Sequence, residues 1–189
     1  FVAAAERAQR CGFDGVEIFA AYHAIVDQFW LPWSNRRTDE WGGSFENRMR
    51  FSSEILRRIR QTVGDEFVIG IAVSVDPKVE VAIQIDEMCE IARWHDERRL
   101  MDYITCGSGS YFEFSDIIPT FLFADKLGVP FAERLRQSVT HAKVQAESHI
   151  RTPENAEYVV ASGQADMVSI VRGQIADPYL ADKALTGRA

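Results

Sequence analysis

Cysteine is scarce in this chain: Cys11, Cys89 and Cys106 are the only three in 189 residues, and they lie far apart. An odd, scattered set offers neither a disulfide framework nor the paired spacing of a metal site. It reads as three reduced thiols serving as small buried hydrophobes in a cytoplasmic protein. Long hydrophobic runs are missing as well. No stretch reaches the roughly 18 apolar residues of a membrane span, and no charged-then-apolar leader is visible. Positive charge is in deficit, with a formal net charge of −7 and both signs mixed along the sequence. No basic stripe is therefore available to neutralise a phosphate backbone, and nucleic acid is not an expected partner.

What is present is ordinary globular material, 47% hydrophobic and 26% charged, enough for one sizeable core. Phe1 to Arg10, FVAAAERAQR, reads as the middle of an amphipathic helix stopped by Gly12, so the chain is expected to be a fragment of a longer protein. A strand follows at Gly15–Phe19. A helix starts at Ser44, with Asn47 at its third position, and carries Phe51, Ile55, Leu56, Ile59 and Val63 at helical spacing up to Gly64. Val68–Val73 is a continuous apolar run, as in a strand buried on both faces. A helix near Ile83–Arg93, a strand at Met101–Cys106, a helix over Pro130–Val139 and a weak strand at His141–Ala146 come next. A helix over Pro153–Ser162, a strand at Ala165–Val171 and a helix over Asp177–Thr186 complete the order.

Strand and helix alternate throughout, which calls for a parallel sheet covered by helices. The pattern is compatible with a partial barrel and with an open doubly wound sheet. Long connections follow the C-terminal ends of strands while helix-to-strand links are short, as in a barrel whose site occupies one face. The longest connection leads from Val16-Glu17-Ile18-Phe19 to Ser44. Links in compact domains run to about 4–6 residues, so one this long is functional or disordered. Its aromatics Phe29, Trp30, Trp33 and Trp41 argue for order.

At NRRTDEWGGSFENRMRF, Asn35–Phe51, the sequence resembles the Old Yellow Enzyme family of NADH:flavin oxidoreductases. It is more similar to the branch holding trimethylamine dehydrogenase, 2,4-dienoyl-CoA reductase and N-methylproline demethylase. GFDGVEI and DQFWLPWS before this stretch, and GDEFVIGI, ADMVSIVRGQIADP and GRA after it, extend the likeness over the whole chain. The resemblance implies an α/β fold, the C-terminal part of a (β/α)8 TIM barrel. Residues 1–189 would be a partial FMN-binding domain of strands four to eight, with the first three strands absent. Such an incomplete barrel is expected to expose strand edges and self-associate.

It also implies FMN as cofactor and admits NAD(P)H. An iron–sulfur cluster would come only with a C-terminal extension, since nothing in these residues can ligate one. Tyr22 occupies the position where the family places a substrate-holding His, Asn or Tyr, and Phe19 stands where ene-reductases often carry another His. Losing both imidazoles disfavours polarisation of an enone. An aromatic residue here, with Trp30 and Trp33 near in sequence, suits a methylated ammonium attracted to ring faces; packing is the alternative role for Tyr22. His23 is one residue out of step with the family position. The phosphate loops of the family, typically Gly-Arg after the seventh strand and Gly-Arg or Ala-Arg after the eighth, correspond to Ser148-His149 and Val171-Arg172, with Arg172 the best-kept match.

Two departures stand out. Ala72 replaces the family Arg that stabilises the reduced flavin, and Glu147 is expected to repel a phosphate dianion beside Ser148. The charged loop Asn35–Arg50 reads as structural, with Asp39, Asn47 and Arg48 bonding loop backbone. Gly107-Ser108-Gly109-Ser110 resembles the family loop on the substrate side. His95 and His141 lack ligand-like partners and read as solvated. The expected activity is hydride transfer from a C–H beside nitrogen to the flavin, with a small-molecule substrate oriented by Tyr22. Reduction of an activated alkene by NAD(P)H and a degenerate barrel without flavin are the alternatives.

Overall fold

The computed structural model describes residues 1–188. Its elements are α1 (Val2–Arg10), β1 (Gly15–Ala20), α2 (Ile25–Trp30), α3 (Phe45–Val63), β2 (Val68–Val75), α4 (Ile85–Glu97) and β3 (Tyr103–Ser108). After these come α5 (Phe114–Ile117), α6 (Val129–Arg136), β4 (Lys143–Ala146), α7 (Pro153–Ala161), β5 (Met167–Val168), α8 (Arg172–Ala176) and α9 (Leu180–Leu185). All neighbouring strands are parallel and the sheet order is β1-β2-β3-β4-β5. A doubly wound sheet reverses its strand order at a switch point. Strictly sequential parallel order is that of consecutive barrel strands, which resolves the choice the sequence pattern leaves open.

Register sorts the side chains into two faces. Phe19, Ala72, Thr105, Gln145 and Met167 lie abreast across the five strands. Alternation then puts Glu17, Gly70, Tyr103 and Glu147 on the same, inner face. The outer face carries Ile18, Ile69, Ile71, Val73, Ile104, Cys106 and Val144, all buried within one apolar core that also takes in residues of the helices. Carboxylates hold the strand entries together. Asp102 Oδ2 accepts from Ile69 N at 2.7 Å and from Arg60 Nη2 at 2.6 Å, and Asp166 Oδ2 accepts from Val144 N at 2.9 Å.

Helix α3 begins where Ser44 Oγ accepts from Asn47 N at 3.3 Å and ends at Gly64, whose φ of 81° is left-handed. The charged loop before it is structural. Asn35 Nδ2 donates to Phe29 O and Trp41 O, both at 2.8 Å, Asn47 Nδ2 donates to Gly42 O at 3.0 Å, and Arg48 Nη1 donates to Gly43 O at 2.8 Å. Asp39 accepts from Trp41 N at 3.1 Å.

Several expectations are corrected. The long connection contains the short helix α2, which no side chain caps. The last strand shrinks to Met167–Val168, an unforeseen short helix α8 follows it, and the last helix starts only at Leu180, because Pro178 cannot continue the hydrogen-bond ladder of α8. Cys11 is exposed, whereas Cys89 and Cys106 are buried as expected.

His95 is not solvated. It is buried on α4, with Nδ1 2.7 Å from Ile91 O and Nε2 2.8 Å from Ser52 Oγ, which also accepts from Trp30 Nε1 at 2.9 Å. A carbonyl beside Nδ1 requires the proton there, leaving Nε2 to accept from the Ser52 hydroxyl. Among the described residues no helix is long and apolar enough to cross a membrane.

Asn35→Ala leaves two loop carbonyls unpaired and is expected to lower unfolding free energy in urea by about 1–3 kcal/mol. Burial pushes the His95 pKa down to about 4, so its ring signals in NMR should titrate near there rather than near 6.5. With the folded pKa below the unfolded one, the stability His95 confers is complete above the unfolded pKa and is lost as pH falls towards 4. Asp27 acts in the opposite sense: burial raises it to about 7, so its ionisation opposes folding as pH rises.

Candidate functional site

The C-terminal ends of the strands open onto a cavity of about 550 Å³ lined by residues from β1, β2, the loop after β3, and the segments following β4 and β5. Tyr22, Ser148, His149, Val171 and Arg172 all line it, and so does Ala72. Residues separated by up to 150 positions in sequence are brought together because parallel strands end on the same edge.

One end of the cavity is a two-residue left-handed elbow, with φ of 71° at Ser148 and 66° at His149. It is pinned from outside: Lys126 N donates to His149 O at 2.9 Å, and Ser108 N donates to Ser148 Oγ at 3.2 Å. The N–H groups of Ser148, His149, Arg172 and Gly173 donate to no group among the described residues. Arg172 Nη1 donates to Pro119 O at 2.6 Å, and its Nη2 lies 3.3 Å from His149 Nδ1. A guanidinium can only donate, so Nδ1 is the accepting nitrogen and Nε2 carries the imidazole proton. That Nε2 is buried without a hydrogen-bond partner, with Asp125 Oδ1 3.8 Å away. Burial, then Arg151 and Arg172, lower the His149 pKa. Orphan donors converging beside a guanidinium are what an anion requires.

The other end is built on β1. The backbone N of Tyr22, at φ 57°, donates to Ser74 Oγ at 2.8 Å. The Tyr22 hydroxyl donates to Glu147 Oε1 at 3.0 Å. Burial, then Glu147, pushes the Tyr22 pKa far up, so the phenol keeps its proton. Burial likewise raises Glu147, with the Tyr22 hydrogen bond opposing and Glu17 adding to the rise. Further along the inner face, Thr105 Oγ1 donates to Glu17 Oε2 at 2.5 Å and receives Gln145 Nε2 at 3.2 Å. Tyr103 is raised to about 12 by burial and by Glu17.

The aromatic neighbourhood of Tyr22 is not the one expected. Trp30 is fully buried against His95, remote from the cavity, and Trp33 packs on His23 and Phe112. The rings facing Tyr22 are Phe19, at 5.9 Å between centroids, and Tyr111, at 6.3 Å. His23 donates its backbone N–H to Asp27 and is not among the lining residues. Glu147 turns towards Tyr22 through a hydrogen bond the sequence does not reveal. The alternation of β4 places Glu147 on the inner face with Gln145, a signal that could have singled it out. Among the described residues no group of three His, Cys, Asp or Glu side chains is placed to hold a metal ion.

Replacing Arg172 by Ala removes the bond to Pro119 O, and limited proteolysis in the Thr120–Lys126 stretch is expected to accelerate several-fold. An unchanged digestion rate would show that the loop is held without it.

The chain matches the family model described as NADH:flavin oxidoreductase / NADH oxidase over residues 1–189. It is 38% identical over 188 residues to an NADH oxidase of Thermoanaerobacter brockii, covering 100% of this chain and 29% of that protein. It is 34% identical over 186 residues to the N,N-dimethylglycine/sarcosine dehydrogenase of Chromohalobacter salexigens, covering 97% of this chain and 27% of the other. Among solved structures, a 2-naphthoyl-CoA reductase complex superposes with a TM-score of 0.90 at 30% identity, covering 99% of this chain and 28% of that one. The chain thus spans less than a third of the length of these relatives.

Proposed function

Because the chain belongs to the NADH:flavin oxidoreductase / NADH oxidase family, we propose that residues 1–189 supply strands four to eight of a (β/α)8 barrel that binds FMN. The protein then passes hydride between a small substrate and that flavin. The observation that carries this reading is the single cavity uniting an anion-ready elbow with an aromatic, hydroxyl-bearing end. The residues fit a flavin phosphate: unpaired N–H groups at Ser148 and His149, the buried Nε2 of His149, and Arg172 at the start of α8. Arg172 uses two guanidinium contacts on Pro119 and His149, and its remaining N–H donors are free to hold phosphate oxygens. Val171, the N-cap residue of α8, positions the backbone leading to Arg172. Bound FMN would supply the two-electron acceptor.

Tyr22 orients the substrate. Its hydroxyl proton is committed to Glu147, so the phenol offers lone pairs and a ring face to the cavity rather than a free donor. With Phe19 in place of a second donor, the site favours a C–H bond next to the nitrogen of an N-methylated amine. The dehydrogenase relative from C. salexigens, named for dimethylglycine and sarcosine, supports this. NAD(P)H-dependent reduction of an activated alkene is the second reading, favoured by the likeness to 2-naphthoyl-CoA reductase. Three free cysteines, one of them exposed, fit the reducing cytoplasm.

The purified holoprotein should be yellow, and its flavin should bleach anaerobically on addition of N-methylated amines. Bleaching by NAD(P)H alone, with turnover of enones, would favour the reductase. Arg172→Ala is expected to weaken FMN binding by about tenfold or more, the loss of charge-assisted hydrogen bonds. A colourless protein that takes up no FMN on dialysis would refute the flavin reading and favour a barrel that has lost its cofactor.

A further inference from the structure

Glu147 has no part in holding a phosphate, yet its carboxylate is held in the cavity by the Tyr22 hydroxyl. The left-handed elbow immediately after it turns the chain, so that His149 meets Arg172 while Glu147 meets Tyr22. Oε1 is taken by the Tyr22 hydroxyl; Oε2 accepts no hydrogen bond among the described residues. Space around the pair is closed at Gly107, where a Cβ would overlap both Glu147 Oε1 and Tyr22 Oη. Glu17 lines the same cavity, whereas Arg151 and Arg172 line the end beyond the elbow. The cavity is therefore polarised, negative at the Tyr22 end and positive at the other. Phe19 and Tyr22 line the negative end with their rings, and Tyr111 packs on Tyr22 from outside the lining.

We propose that Glu147, held in place by Tyr22, is the counter-ion that selects a cationic substrate, seating an ammonium group between its free Oε2 and the ring faces of Phe19 and Tyr22. The inference rests on reading this cavity as the substrate site. A carboxylate withdrawn from water with a second carboxylate nearby is unfavourable alone, and burial and Glu17 both raise its pKa. A cation relieves both effects, and ring quadrupoles add to the attraction where water is excluded. An uncharged molecule of the same shape gains neither.

The test uses choline and its uncharged isostere 3,3-dimethylbutan-1-ol, titrated by calorimetry into the holoprotein, with flavin absorbance read on the same samples. Choline should bind more tightly than the alcohol. Glu147→Gln, which keeps size and can still accept from Tyr22, should lower choline affinity at least about fivefold and leave the alcohol unchanged. Glu147→Asp should restore part of the preference, and Tyr22→Phe, which frees the carboxylate but leaves its charge, should reduce it less than Glu147→Gln. No preference for choline in the unsubstituted protein, or a preference untouched by Glu147→Gln, would overturn the inference. Absence of flavin with the choline preference intact would instead overturn the FMN reading and support this one.

Discussion

The register of the sheet is fixed where the strands begin, by carboxylates that take hold of the neighbouring strand. Asp102, just before β3, accepts from the backbone N–H of Ile69 near the start of β2, and Asp166, just before β5, does the same for Val144 of β4. Asp96 at the end of α4 accepts from the N–H groups of Thr140, His141 and Ala142, gathering the approach to β4. A slip of one residue would exchange the two faces of a strand. Here that exchange would bury Glu17, Gln145 and Glu147 among the helices and turn Ile69, Ile71 and Val144 inward. Every property of the cavity depends on that not happening.

With the entries locked, the exits are free to differ. The exits of β1 and β3 carry the long connections, and those of β1 and β4 carry the positive-φ residues Tyr22, His23, Ser148 and His149; with the exit of β5 they supply most of the lining of the cavity. This division, stability at one edge and chemistry at the other, is how barrels support varied reactions. It also explains why two charge types coexist within one small volume. Glu147 and His149 are separated by a single residue, but the elbow between them aims their side chains at different partners.

The sequence displayed the fold well and the site in part. An unbroken apolar run marked β2, a Ser-Asn start and a terminal glycine marked α3, and the long exits pointed to the correct edge. Short elements escaped: α2 has no capping side chain, and β5 keeps only two residues of an apolar stretch whose remainder bends away. His95 was legible in principle. It continues the buried stripe of Met88, Ile91 and Ala92 at helical spacing, and a helix read to Glu97 rather than Arg93 would have placed it inside. Tyr22 with Glu147 was not legible, since 125 residues separate them and only closure of the strands brings them together. The family register supplied Ser148, His149, Val171 and Arg172; it could not say that the His149 imidazole would be buried with a proton to spare.

The elbow at Ser148 and His149 offers its amide hydrogens through the main chain, whatever side chains it bears. The backbone is pinned by bonds from Lys126 and Ser108 on the far side, only one of which uses a side chain of the elbow itself. Such an arrangement separates what is offered to a ligand from what is spelled in the genes. Residues there can drift in size and charge, as long as each tolerates a left-handed backbone, and the protein can try new chemistry beside an unchanged foothold.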